Sequence, residues 1–393
     1  MNGLNEVIVP LLMLVARQSL TAEQETAVRD LCRRVDDWEA FTRLAVEHQG
    51  LPLAYRQLSR LGPDGVPADA LDRMHRLTLL LVAQALRVEA AQRAFQADCL
   101  APLGTRYVVL KGLPLAARYY ESTALRPCRD IDVLLEPRDL IPLVLHARRL
   151  GYRLHEQPEG WGDWDAAAYC RFANDLSLVS PNGVLIELHK TLDQGQGLFL
   201  TRPLLRRSES IAHGGLEIPV LNTADLFVYV CAHHTRHFWS HLHWFGDLDA
   251  IVRHPSYDEQ AVRRSAEAAR LGSTVEACLG LRELALLGDT TGRTARSPRA
   301  AELMRLAVEC MVQGRDREVQ LRDTVKLGNF AFDWQVPAGQ EARDHWRQRL
   351  SRLHPWPADY RAWPLPPHLH GLYYVTRPLR VGWRLLTGRR GGR

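Results

Sequence analysis

The stretch Leu125-Arg-Pro-Cys-Arg-Asp-Ile-Asp-Val-Leu-Leu135 constrains this chain more than any other. Its tail, Ile-Asp-Val-Leu-Leu, predicts a buried strand. Side chains alternate across a strand, so Asp130 and Asp132 are expected to project from the same face. Two carboxylates held that close repel each other unless a cation sits between them. A divalent ion bridging phosphate oxygens suits such a pair. The competing reading is a strand at a sheet edge with both acids in water.

The flanking segments favour the ion. Upstream, Arg106-Tyr-Val-Val-Leu-Lys-Gly-Leu-Pro-Leu-Ala-Ala-Arg-Tyr-Tyr120 predicts a strand, a tight turn at Lys111-Gly112 and a helix with Pro114 in its first turn. The start of such a helix points unpaired N–H groups outward, which suits phosphate. Lys111 is one of only three lysines in the chain, so generic surface solvation explains it poorly. Downstream, Asn182-Gly183 between two apolar runs predicts a hairpin. On its second strand Leu185, Glu187 and His189 share one face, and Val184, Ile186 and Leu188 the other. Glu187 is expected to stand opposite Asp130 and Asp132 as a third carboxylate; a sheet edge with Glu187 in water is the alternative.

Taken in order, Val109-Leu-Lys-Gly112, the Arg-Asp-Ile-Asp core of Arg126–Leu134, Leu150-Gly-Tyr152 and Ile186-Glu-Leu-His189 resemble the large bacterial group of uncharacterised nucleotidyltransferases. That group has the polymerase-beta-type nucleotidyltransferase fold. His233-His-Thr-Arg-His-Phe-Trp239 and Trp244-Phe-Gly-Asp-Leu-Asp249 resemble its helical half, so the resemblance spans about residues 40 to 255. It implies an α/β (α+β) architecture, a small mixed-sheet nucleotidyltransferase core flanked by N- and C-terminal helical regions. The implied activity is metal-dependent transfer of a nucleoside monophosphate from an NTP, such as ATP, to an acceptor, with release of pyrophosphate. Asp130, Asp132 and Glu187 would be catalytic and would hold Mg²⁺ (or Mn²⁺). Lys111, Gly112, Arg126, Arg129 and His189 would bind the nucleotide. The broader superfamily carries Gly-Ser or Gly-Gly at the turn, whereas this chain has Gly112-Leu113 and no hydroxyl there. Lys111, Arg126 and Arg129 are expected to supply the missing interaction, since arginine forks match phosphate oxygens. Which NTP is used, whether the acceptor is a small molecule, peptide, protein or RNA, and the oligomeric state are not legible.

Three regions are expected across the 393 residues, with no internal repeat. Residues 1–100 form an N-terminal helical region, with a capping box at Thr21-Ala-Glu-Gln24 and helical spacing from Leu71 to Leu100. Residues 101–220 form the catalytic core, including a helix from Pro137 ended by Gly151 and a Trp-rich loop from Gln157 to Asp165. That loop either covers a pocket or packs on the core. Residues 221–393 are mostly helical, with a Pro-rich linker at 354–367. From Arg361 onward the chain holds Arg361, Arg377, Arg380, Arg384, Arg389, Arg390 and Arg393 and no acid. This tail either is solvated or touches RNA, a phosphorylated partner or a membrane surface.

Composition narrows the class. A net charge of +5 and a pI of 8.9 fall well short of a protein that coats nucleic acid. Seven scattered cysteines without a Cys-x-x-Cys pair argue against a disulfide framework or zinc ribbon and for a reducing cytoplasm. No apolar run reaches membrane-span length, and the opening run near Pro10 lacks the features of a signal peptide.

The rival site is histidine-rich. His233, His234, His237, His241 and His243 crowd one predicted helix, and His233, His237 and His241 recur every four residues. Such spacing could bind zinc or iron in a His-Asp phosphohydrolase, with Asp247 or Asp249 as further ligand. That class requires adjacent His-Asp, and this chain has His233-His234. Otherwise these histidines face the cleft or satisfy buried hydrogen bonds beside Trp239 and Trp244. A non-catalytic nucleotide-binding or interaction protein is the remaining alternative, opposed by the presence of all three acids.

Overall fold

A computed structural model of the chain describes residues 4–62, 64–155, 161–173, 175–193, 197–324, 330–336 and 354–387. Short alternating segments in the middle of the sequence form a mixed sheet, and segments with helical spacing on either side form helices. The strands are β1 (Tyr107–Val109), β2 (Asp130–Leu135), β3 (Arg153–Leu154), β4 (Asp175–Val179), β5 (Leu185–His189), β6 (Glu209–His213) and β7 (Leu216–Val220). Their order is β3-β4-β5-β2-β1-β7-β6. β2 is parallel to β5 and antiparallel to β1, while β1 is parallel to β7. The hairpin expected at Asn182-Gly183 joins β4 to β5.

The two faces of the sheet bury different cores. Ile131, Val133 and Leu135 pack with Val109, Ile186 and Leu188 against the helix Pro137–Arg149, the helix Asp163–Phe172 and the end of the helix Ala68–Ala94. Val108, Leu110 and Leu134 enter a second core on the other face. The helices before residue 62 and those between residues 223 and 313 share that core. The helix Val9–Val15 is buried at every residue, which is where a helix apolar all round belongs. It meets the helix Leu242–Arg253 at Gly246, where a Cβ would lie 2.7 Å from the Ala16 carbonyl oxygen. Only glycine allows that approach.

Three expectations are revised. The histidine-rich segment forms two helices, Thr223–Arg236 and Leu242–Arg253, with His241 at the second N-cap. The break falls at Phe238 and Trp239, both left-handed with φ of 53° and 52°. Such backbone costs roughly 1–3 kcal/mol per non-glycine residue. Burial of Trp239 and a bond from its N–H to the His234 carbonyl (2.9 Å) hold it in place.

In the Trp-rich loop, residues 156–160 lie outside the described residues, and Asp163 already opens a helix. Trp161 packs on Tyr169 and Tyr360 in the layer opposite the carboxylates. In the basic tail, Arg377 and Arg380 pair with Asp359 at 2.5 and 2.7 Å, so the nearest acid precedes the run. Arg389, Arg390 and Arg393 lie outside the described residues. No described helix is long and apolar enough to cross a membrane.

Candidate active site

The turn after β1 delivers Lys111 to β2. A bond from the Leu110 N–H to the Asp132 carbonyl (3.0 Å) holds the two strands together there. Gly112 follows at φ 76°, and a Cβ on it would sit 3.4 Å from the Asp130 carbonyl oxygen. Both the dihedral and the closeness call for glycine. The parallel register of β2 and β5 sets Asp132 beside Glu187, and alternation brings His189 to the same face. Asp132 is buried at 1% exposure, while Asp130, Glu187, His189 and Lys111 are half-buried.

These side chains converge. His189 Nε2 lies 3.1 Å from Asp132 Oδ1 and 3.6 Å from Glu187 Oε2. A ring nitrogen between two carboxylates carries its hydrogen and donates to Asp132. The Lys111 ammonium stands 3.4 Å from Asp132 Oδ2, a buried oxygen that accepts no well-formed hydrogen bond.

Charges are correspondingly displaced. Burial by itself would raise the Asp132 pKa, but Lys111 and then His189 hold it below the usual carboxylate range. Asp130 and Glu187 are pushed up, by burial first and by the Asp132 charge second. Burial would lower Lys111, yet Asp132, Tyr229, Asp130 and Glu187 together hold it above the ordinary lysine value. Three carboxylates face one ammonium and one imidazole, which leaves the group short of positive charge.

Among the described residues, Asp132, Glu187 and His189 form the group that could hold a metal ion, with one ligand atom from each and all three within 4.8 Å of one another. Asp132 Oδ2, buried and met only by the Lys111 ammonium at 3.4 Å, and the shortage of positive charge fit a divalent cation. This set differs from the expected Asp130–Asp132–Glu187 trio: Asp130 falls outside it, and His189 falls within.

Arg126 does not reach this group. It is 5% exposed, and its Nε and Nη2 donate to Asp247 Oδ1 and Oδ2 at 2.9 and 2.7 Å. The Tyr120 hydroxyl also donates to Asp247 Oδ1, at 2.8 Å. The Arg126 fork, expected on phosphate, is taken by Asp247 here, and it clamps the loop before β2 to the helix Leu242–Arg253. Arg129 is exposed; among the described residues it makes a 3.4 Å contact to the Val46 carbonyl and no ion pair to the aspartates.

The histidine cluster is packed aromatic structure. His234 stacks on Trp244 with centroids 4.2 Å apart, and His241 meets the same ring edge-on at 4.8 Å. His237 Nδ1 lies 2.8 Å from Glu318 Oε1, and His243 Nδ1 lies 3.2 Å from the His48 carbonyl. Burial keeps His233, His234 and His243 well below the ordinary imidazole value and brings His241 down to about 4. Neutral rings could bind metal, but these are not gathered as ligands among the described residues. The acids proposed to help them are engaged elsewhere, Asp247 by Arg126 and Asp249 by Arg282 (2.6 Å) and Arg253 (2.9 Å).

One buried neighbour of the site was not anticipated. Tyr229, 3% exposed, lies within electrostatic reach of Lys111 and Asp132, and burial raises its pKa. In sequence it sits inside the apolar run Phe227-Val-Tyr-Val-Cys231, where it looks like core.

No curated protein matches the chain. A family model for uncharacterised nucleotidyltransferases does match, over residues 35–286, a span that includes every strand of the sheet and all the residues of the carboxylate group. On that match, the chain belongs to the uncharacterised nucleotidyltransferase family.

Proposed function

We propose that the protein transfers a nucleoside monophosphate from an NTP to an acceptor hydroxyl or phosphate and releases pyrophosphate. The observation that carries this reading is the register that sets Asp132 against Glu187 with Lys111 alongside, on one face of the sheet. Asp132 and Glu187 would hold a Mg²⁺ or Mn²⁺ ion, with His189 as nitrogen ligand or brace; an imidazole in the set favours Mn²⁺. Once bound, the ion would supply charge neutralisation on the triphosphate.

The chain's own groups divide the remaining work. Lys111 is the basic side chain nearest the carboxylates and binds the triphosphate as a point charge. Arg129, exposed and without an ion pair to the aspartates, adds a fork for phosphate oxygens. Glu187, pushed up by burial and by Asp132, takes the proton from the acceptor hydroxyl as general base. Where no ion takes that nitrogen, His189 fixes the orientation of Asp132 through its Nε2–H. Asp130, two residues before Asp132 on β2, adds negative charge to the site.

The acceptor is found by incubating the protein with each NTP, Mg²⁺ or Mn²⁺ and a cell extract, then weighing the products by mass spectrometry. A mass gain equal to a nucleoside monophosphate, absent with Asp132→Asn, is expected. A gain of a bare phosphoryl group would replace this reading with a kinase.

A further inference from the structure

A second charged site lies at the other end of β2. A cavity of about 270 Å³ is lined by Arg106, Glu136, Arg138, Arg202 and Arg206. Arg106 precedes β1, Glu136 and Arg138 begin the helix after β2, and Arg202 and Arg206 sit four apart on the helix Thr201–Arg206. Four guanidiniums and one carboxylate line it, and Asp139 lies 3.7 Å from Arg138 Nε at its edge, which leaves an excess of two positive charges. Glu136 is 8% exposed, and its Oε2 accepts from Arg202 Nε at 3.1 Å and lies 3.2 Å from Arg138 Nε. One buried acid thus sets two arginines side by side through their inner nitrogens. All four arginines are exposed, and among the described residues Arg106 and Arg206 have no acidic partner.

We propose that this pocket binds a compact phosphate-bearing group, such as a diphosphate or the phosphomonoester head of a small molecule, independently of the carboxylate site. Guanidinium forks match phosphate oxygens in geometry, and the charge excess matches a group carrying two or three negative charges. The cavity volume falls just under the range of roughly 300–1,000 Å³ typical of small-molecule sites, which favours a head group over a polymer strand. Glu136 follows Asp132 by four residues, about 13 Å along an extended chain. The fully buried Leu134 lies between them, so the two sites do not merge. The proposal does not depend on the transfer reaction.

Calorimetric titration of the full chain with sodium pyrophosphate, in buffer free of divalent ions and phosphate, tests it. Wild type and Lys111→Ala are both expected to bind one pyrophosphate. Arg106→Ala/Arg206→Ala, which leaves the Glu136 contacts intact, is expected to bind about tenfold more weakly or worse. Arg202→Lys keeps the charge but loses the fork, and should also bind more weakly than wild type. A short single-stranded RNA should bind less tightly than pyrophosphate. Equal affinity in the double alanine variant, loss of binding in Lys111→Ala, or tighter binding of the RNA would each overturn the proposal.

Discussion

At the scale of single residues, the two aspartates that look equivalent in sequence are not. Asp132 is buried against Lys111 and His189 and ionises more readily than usual, whereas Asp130 and Glu187 are held back by burial and by the Asp132 charge. A lowered carboxylate contributes stability that is present above its ordinary pKa and is lost as pH falls through its folded value. A raised one costs stability as pH climbs from its ordinary value through its folded value. At neutral pH without metal, Asp132→Asn should therefore lower the melting temperature, by about 1–3 kcal/mol of stability. Asp130→Asn should raise it. Thermal melts of the two variants decide the matter, and shifts of the same sign would contradict the assignment of charge. The alternation of Asp130 and Asp132, and the placing of Glu187 and His189 on one strand face, were legible because a two-residue period needs no tertiary information. The fate of Arg126 was not: its partner, Asp247, is 121 positions away.

At the scale of elements, that ion pair is a joint between the sheet and the helix Leu242–Arg253. Removing the guanidinium leaves a buried, unpaired Asp247, at a cost of roughly 3–5 kcal/mol. Arg126→Ala should thus show a large loss in denaturant titration, while Arg129→Ala stays near wild type in stability and loses NTP affinity. A stable Arg126→Ala protein with weakened NTP binding would restore Arg126 to the phosphate site. The helices that meet at Trp244 carry imidazoles kept neutral by burial, with His241 down to about 4. The unfolded chain takes up protons below the ordinary histidine value of about 6.5, and the folded chain resists doing so. The melting temperature should fall between pH 6.5 and pH 5; a flat profile would contradict the burial of these rings. Sequence spacing suggested a single helix here, because periodicity does not reveal that Phe238 and Trp239 turn left-handed to bury an indole.

At the scale of the whole molecule, residues 107–220 supply the sheet but not both of its covers. Val108, Leu110, Leu115 and Leu134 are buried against helices drawn from both ends of the chain. A fragment of residues 101–220 would expose that face, and is expected to aggregate or to lack a cooperative melt when expressed alone. A monomeric fragment with a sharp transition would contradict the shared core. The fold class was legible from the order of strand and helix patterns, whereas the pairing of N- and C-terminal helices across the sheet rests on contacts too distant in sequence to read. The central claim concerns which phosphorus moves, and labelled NTP tests it most directly. With Mg²⁺ or Mn²⁺ and an acceptor-containing extract, label at the α-phosphate should appear on the acceptor while label at the γ-phosphate leaves as pyrophosphate, and both should vanish with Asp132→Asn. Transfer of the γ-label to the acceptor, or undiminished α-transfer by Asp132→Asn, would contradict it.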